Sequence, residues 1–346
     1  MWTIASLAFA HLKDTTCEPW TMEMNRRDFI AGLSTLAAFP VTVRAQQGDK
    51  PVRVGFLSMG AGPNPNAYGF QKGLRQLGYV DGQNLVLVNR WAAGQRDRLP
   101  DLANELLGSN VDLIASHSTE AIEAIRSLSR TIPVVMVAIS DPIGSGFVAS
   151  FARPSGNTTG VTLFSNELAG KRLAMLKQFV PQLSRVAILA EKGRGPTETL
   201  VSETQAAANT LRVALQVFEV SSQEIADAFK SMEAERPDAL IIQQNLSFTN
   251  RLRQIADLAI GQRIPTIHPT REFVEAGGLL AYGPNLFALG ERAAWYVDRI
   301  LKGTKAADLP VEQPTRFELA LNLKTARALD LQPAPSLIGT ADEVIE

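Results

Sequence analysis

The sequence predicts an α/β protein built as two lobes, each around a parallel sheet. Two observations carry this. Short apolar, β-rich runs alternate with amphipathic helical stretches along the chain, the pattern of successive βαβ units. The chain also echoes itself. Val111-Asp112-Leu113-Ile114 leads through a helical stretch to Ile132-Pro133-Val134, and Pro237-Asp238-Ala239-Leu240-Ile241-Ile242 leads to Ile264-Pro265-Thr266. A single sheet holding every candidate strand would be unusually wide, so two similar lobes are expected.

In chain order the expected strands are Val52–Ser58, Asn84–Trp91, Val111–Ser116, Ile132–Ile139 and Thr159–Phe164. They continue with Arg185–Ala190, Leu215–Val220, Ala239–Gln243, Ile264–Ile267 and Gly278–Tyr282. These are near-continuous apolar runs, as strands buried on both faces require. Helical periodicity occupies Tyr68–Leu77, Leu99–Leu107, Thr119–Leu128, Leu168–Phe179, Thr199–Leu211, Ile225–Glu233, Leu252–Ile260 and Leu286–Lys302. Pro310 and Pro314 make the segment after Gly303 a stiff, extended connector. A helix at Leu323–Leu329 comes next. The lobes are expected at 51–161 plus 284–312, and at 162–283 plus 313–346.

The N-terminus reads as a leader. Met24-Asn25-Arg26-Arg27-Asp28-Phe29-Ile30 gives a basic start, Ala31 to Phe39 a short apolar stretch, and Val43-Arg44-Ala45 a small-residue cleavage site. A helix from Ile30 to Val43 would rise about 21 Å, short of the roughly 30 Å of a bilayer core. Pro40 would also break it. A cleavable signal ending at Ala45 is therefore expected in place of an anchor, with Met24 as the true start. The arginine pair resembles a twin-arginine export motif.

About 300 residues lie beyond Ala45, enough for two cores. Hydrophobic residues make up 45% and charged residues 20%, which fits a water-soluble chain. The net charge of −1 supplies no basic footprint for nucleic acid. The single cysteine, Cys17, falls in the leader, so no disulfide or thiol chemistry is expected. Only His117 and His268 lie beyond the leader, and neither has a ligand-type neighbour in sequence. No metal or cofactor site is expected.

The motifs in order resemble a family. Arg-Arg-Asp-Phe-Ile, Val54-Gly55-Phe56-Leu57-Ser58, Gly73-Leu74-Arg75-Gln76-Leu77-Gly78-Tyr79, Asp81-Gly82-Gln83-Asn84 and Arg90-Trp91-Ala92 open the series. Asp141-Pro142, Arg153-Pro154-Ser155-Gly156-Asn157, Arg271-Glu272-Phe273-Val274, Asn322-Leu323-Lys324-Thr325-Ala326 and Ala341-Asp342-Glu343-Val344-Ile345 complete it. This order resembles bacterial ABC-transporter substrate-binding proteins of the tryptophan and tyrosine type. The resemblance implies the type I periplasmic-binding-protein fold: two Rossmann-like lobes, three interlobe crossings and a ligand cleft between. It also implies a periplasmic, monomeric protein that hands a small organic solute, an amino acid or aromatic carboxylate, to an ABC permease in the inner membrane.

Ligands of open α/β sheets bind beyond the carboxyl ends of strands. That rule selects Ser58 in the loop to Asn64, and Ser116, Ser118 and Thr119 around His117. Ser118 or Thr119 can cap the next helix and leave free N–H groups for a carboxylate, or simply cap. The family often reads Gly-Thr-Pro here, so His117 is a departure. Asp141 is a candidate ammonium acceptor, or a turn residue. From the second lobe come Asn245, with Gln243 and Gln244 beside it, and Arg271 and Glu272. Arg271 would clamp a carboxylate or pair with Glu272 or Glu275. Tyr282, like Tyr68, would stack on an aromatic solute or pack. The Glu191–Pro196 loop is read as a solvated surface loop. The rival readings are a Rossmann-like enzyme or a ligand sensor acting on a small carboxylate. The chain shows no Gly-x-Ser-x-Gly elbow, dinucleotide fingerprint or phosphate loop, and a leader stands where a sensor would carry its DNA-binding domain.

Overall fold

Strand β1, Val52–Ser58, lies inside the first sheet, with β2, Leu85–Trp91, on one side and β3, Leu113–Ser116, on the other, both parallel to it. Strands β4, Val134–Ile139, and β5, Thr158–Thr162, extend the sheet in the order β2-β1-β3-β4-β5. The structure, a computed structural model, describes residues 50–164, 168–192 and 196–346. The leader expected at 1–45 lies outside them.

Side chains along these strands alternate between two apolar layers. Val54, Phe56, Leu113, Ala115, Val135 and Val137 enter one layer; Leu57, Ile114, Val134 and Met136 enter the other. Helices α1 (Pro65–Gln76) and α10 (Leu286–Leu301) cover the first layer with Phe70, Leu74, Ala293 and Val297. Helices α2 (Leu99–Gly108) and α3 (Thr119–Leu128) cover the second with Leu102, Leu106, Ile122 and Ile125. Burial on both faces is why these strands read as unbroken apolar runs.

The second sheet repeats the plan. Strands β6 (Arg185–Glu191), β7 (Ala214–Val220), β8 (Ala239–Ile242), β9 (Thr266–His268) and β10 (Leu280–Pro284) lie in the order β7-β6-β8-β9-β10. Helices α4 (Ala169–Phe179) and α5 (Pro196–Leu211) pack on one face, α6 (Ile225–Glu235) and α8 (Leu252–Gly261) on the other. The short α7 (Leu246–Thr249) and α9 (Glu272–Glu275) sit at the ends of β8 and β9.

The echo in sequence is an echo in hydrogen bonding. Asn110 and Arg236 both take left-handed backbone, φ 52° and 47°. Two residues on, Asp112 Oδ2 accepts from the Arg53 N–H at 2.7 Å, and Asp238 Oδ2 from the Arg185 N–H at 2.8 Å. Each aspartate thus pins the start of its lobe's first strand.

One expectation needs correction: the second sheet is not wholly parallel. Strand β11, Phe317–Asn322, runs antiparallel to β10, and β12, Glu343–Ile345, is parallel to β11. Neither strand is among those expected from sequence. The chain leaves β10, returns to the first lobe as α10, and re-enters the second lobe from the opposite direction, so β11 can join the β10 edge only head to tail. Three residues in β12 carry too little pattern to read. Helices α11 (Leu323–Ala328) and α12 (Pro335–Thr340) lie between them. The three crossings are the links β5 to α4, β10 to α10 and the 309–316 segment before β11. Glu312 in the last bonds to both sides of Val161, which ties the crossing to β5.

Candidate functional site

The carboxyl ends of both sheets face a cavity of about 580 Å³. Its walls include the last residues of β4 (Ala138 and Ile139, with Ser140) and β6 (Glu191, with Lys192), and residues in the segments after β1 (Met59), β3 (His117 to Glu120), β7 (Ser221 to Gln223) and β8 (Gln243 to Ser247). This is where an open α/β sheet offers loop backbone and helix starts to a ligand.

On the first lobe, Ser118 caps α3, its Oγ accepting the Ala121 N–H at 3.3 Å. The Ser118 N–H is itself held by Ser116 Oγ at 3.1 Å, and Ser118 Oγ donates to Glu120 at 2.9 Å. The cap leaves the Thr119 and Glu120 N–H groups ahead of any intrahelical acceptor, at the cavity wall. A bulge in β4 puts Ala138 in the left-handed region at φ 61° and shifts the register between Val137 and Ile139. Bulges of this kind re-aim a strand end, here into the cavity.

On the second lobe, Gln243 is a buried brace. Its Oε1 accepts the Glu191 N–H at 2.8 Å and its Nε2 donates to Thr197 Oγ1 at 2.9 Å. Ser247 Oγ donates to the Glu191 carboxylate at 2.5 Å. Burial pushes the Glu191 carboxyl above its ordinary pKa and the Glu120 charge adds to this, while Ser247 and Arg96 oppose it. Arg96 is paired with Glu123 at 3.1 Å and Lys192 with Glu224 at 2.9 Å. Glu120 and Glu191, one from each lobe, form no ion pair among the described residues.

The expected site residues separate into two groups. Ser118, Thr119 and Asn245 line the cavity; Asn245 also caps α7 through the Phe248 N–H at 2.8 Å. Ser116 and Ser58 are fully buried just behind the wall, where Ser58 Oγ accepts the Gly60 N–H at 2.9 Å. Asp141 stands beside the lining residues Ser140 and Gly144. Its carboxylate accepts the Gly144 N–H at 2.8 Å and, across the lobes, the Thr199 hydroxyl at 3.3 Å. The other three are outside the lining. Arg271 pairs with Glu275 at 3.0 Å and Glu343 at 2.9 Å. Glu272 is half-buried with one oxygen unpartnered, and burial raises its pKa. Tyr282 is buried, its hydroxyl held by Lys171 at 2.5 Å and its ring facing Phe317. Exposed Tyr68 lies on α1, also outside the lining.

Sequence reading did not single out Glu120, Glu191, Arg96 or His117 as site residues. The only signal for His117, Glu120 and Glu191 was position at or just beyond a strand end, and Arg96, five residues past β2, had none. The Glu191–Pro196 loop, expected to be solvated, contributes Glu191 and Lys192 to the wall; 193–195 lie outside the described residues. Among the described residues no helix is long and apolar enough to cross a membrane.

The same two-lobed architecture occurs in solved structures. The chain is similar to the ABC domain in complex with L-Trp from Streptococcus pneumonia, with TM-score 0.81 and 26% identity over 85% of this chain and 100% of that one. It is similar to a conserved domain protein of Vibrio cholerae, with TM-score 0.81 and 22% identity at the same coverage. A ligand-free, open substrate-binding protein of Clostridium difficile gives TM-score 0.65 at 22% identity, over 85% of this chain and 99% of that one. In sequence the chain is 26% identical over 266 residues to the tyrosine-binding protein of Clostridioides difficile (strain R20291), 76% of each chain. The model of a family described as ABC transporter substrate binding protein matches residues 60–345. That match takes in every strand but β1 and every wall of the cleft but Met59: the chain belongs to the ABC transporter substrate-binding protein family, whose members bind small solutes for delivery to ABC permeases.

Proposed function

We propose that this protein is the extracytoplasmic binding component of an ABC importer for an amino acid, held between the lobes. The observation that carries the reading is the pair of carboxylates, Glu120 and Glu191, brought to one cavity from two lobes without an ion-pair partner among the described residues. A ligand ammonium supplies that partner, and a charge-assisted bond is the strong kind. The open N–H groups at the start of α3 supply the matching site for a ligand carboxylate. Relatives named for tyrosine and bound to L-Trp support an amino acid. The wall favours it over an aromatic carboxylate, because no Phe, Tyr or Trp lines the cavity among the described residues. Asp141 serves such a ligand by fixing the Ser140–Gly144 turn rather than by touching it.

A ligand that bridges both lobes favours the closed state by its differential affinity, and a permease then reads that state. Binding proceeds without turnover, by a monomer, with no nucleic acid. Titration calorimetry with L-amino acids, read beside small-angle scattering, is the test. A bound amino acid that compacts the protein is expected; absence of binding by every L-amino acid would sink the proposal. Export to the periplasm and cleavage after Ala45 complete the reading. N-terminal sequencing of exported protein should begin at Gln46, and a retained Arg26-Arg27 pair would refute cleavage.

A further inference from the structure

His117 is the one ring on the cavity wall among the described residues, and none of them uses its nitrogens. It comes directly after β3, is 6% exposed, and neither Nδ1 nor Nε2 has a hydrogen-bond partner among the described residues. Its ring is backed by Phe56 at 5.4 Å and Trp91 at 6.5 Å. A buried polar group with no partner is rare, because it has lost water and gained nothing. The neighbouring hydroxyls are committed elsewhere: Ser116 to the Ser118 N–H, and Ser118 to Glu120. The contrast with His268 is informative, since that equally buried ring accepts the Thr270 N–H at 3.0 Å.

We propose that His117 is the specificity-determining residue of the cleft, hydrogen-bonding an uncharged polar group, a hydroxyl or carboxamide, on the side chain of the bound amino acid. This rests on the reading that an amino acid occupies the cavity. Charge at that end is disfavoured for two reasons. Burial holds the imidazole down at about 4, so it is neutral at working pH. The charged lining groups are otherwise placed: Arg96 is paired with Glu123, Lys192 with Glu224, and Glu120 and Glu191 await the ammonium. The apolar side chains of the same wall are Met59, Ala138, Ile139 and Leu246. A charged side chain there would be desolvated against a neutral partner, whereas a hydroxyl or amide can both donate to and accept from the ring.

The test compares matched pairs of L-amino acids as probes: threonine against valine, glutamine against methionine, tyrosine against phenylalanine. Affinities are measured by calorimetry for the wild type, His117→Phe and His117→Asn. Phe keeps the packing on Phe56 and Trp91 but removes both nitrogens. One polar member is expected to bind the wild type at least about tenfold better than its apolar match, a single good hydrogen bond's worth. His117→Phe should erase that preference and His117→Asn should restore part of it. A preference that survives in His117→Phe, or is absent in the wild type, overturns this inference and leaves amino-acid binding standing. Failure of every L-amino acid to bind overturns both. Should His117→Phe not fold, the ¹⁵N shifts of the wild-type His117 ring decide. They should move on adding the binding probe while those of His268 stay; unchanged His117 shifts overturn the assignment.

Discussion

At the residue scale, Glu191 holds a conflict that a ligand resolves. Burial raises its pKa in the folded protein, with Glu120 adding and Ser247 and Arg96 subtracting. A carboxyl raised on folding binds more protons folded than unfolded over the interval between its two pKa values. Stability therefore falls as pH rises through that interval, and the penalty is in full force above it. Glu191→Gln keeps an acceptor for Ser247 and removes the charge. It should raise the melting temperature of the ligand-free protein at pH 7–8, and the gain should shrink as pH drops through the carboxylate range. The same variant should weaken an amino acid by about 1.5–3 kcal/mol, the worth of a hydrogen bond to a charged group. A melting temperature lowered at neutral pH would mean that the charge is compensated in the free protein.

At the scale of elements, the seam between α1 and α10 decides how the first lobe holds its shape. The helices meet backbone to backbone through glycines. A Cβ on Gly290 would fall on the Asn66 carbonyl oxygen, one on Gly69 on the Phe287 carbonyl oxygen, and one on Gly73 within 2.7 Å of the Glu291 carbonyl oxygen and the Ala294 Cβ. Gly here permits close approach, outweighing its poor helix propensity. Gly290→Ala should destabilise the protein by about 1–3 kcal/mol, as overpacking does, in spite of alanine's better propensity. Denaturant unfolding measures this, and a stabilised variant would show that the helices separate cheaply. The seam also matters to function, because α10 arrives directly from a crossing and anchors it to the first lobe.

At the scale of the whole molecule, side chains of the two lobes touch. Asp141 of the first lobe accepts from Thr199 of the second, and Leu246 packs against the apolar layer under α2 and α3. Thr199→Val removes one interlobe bond without changing the volume of the residue much. It should cost the closed state about 0.5–1.5 kcal/mol and raise the radius of gyration of the ligand-free protein in small-angle scattering. An unchanged radius would show that this bond does not bias the lobes.

Local chemistry carried much of this molecule into the sequence. Apolar runs bounded by polar helices announced strands buried on both faces, and the Val-Asp and Pro-Asp echoes before β3 and β8 announced two like lobes, because each aspartate binds the backbone of its own lobe. Caps such as Asn64 on Ala67 and Ser118 on Ala121 are equally local. The site was legible only as a set of strand ends. Arg271, a carboxylate clamp by type, is satisfied by Glu275, the local pairing its spacing offered, and also by Glu343, far along the chain, which no local pattern could supply. Glu120 and Glu191 look like ordinary surface acids until the two sheets face each other. His117 looks like a core histidine until its neighbours are seen to have spent their hydrogen bonds elsewhere. A side chain's burial and its unmet partners depend on what the other lobe brings, and only the tertiary structure decides that.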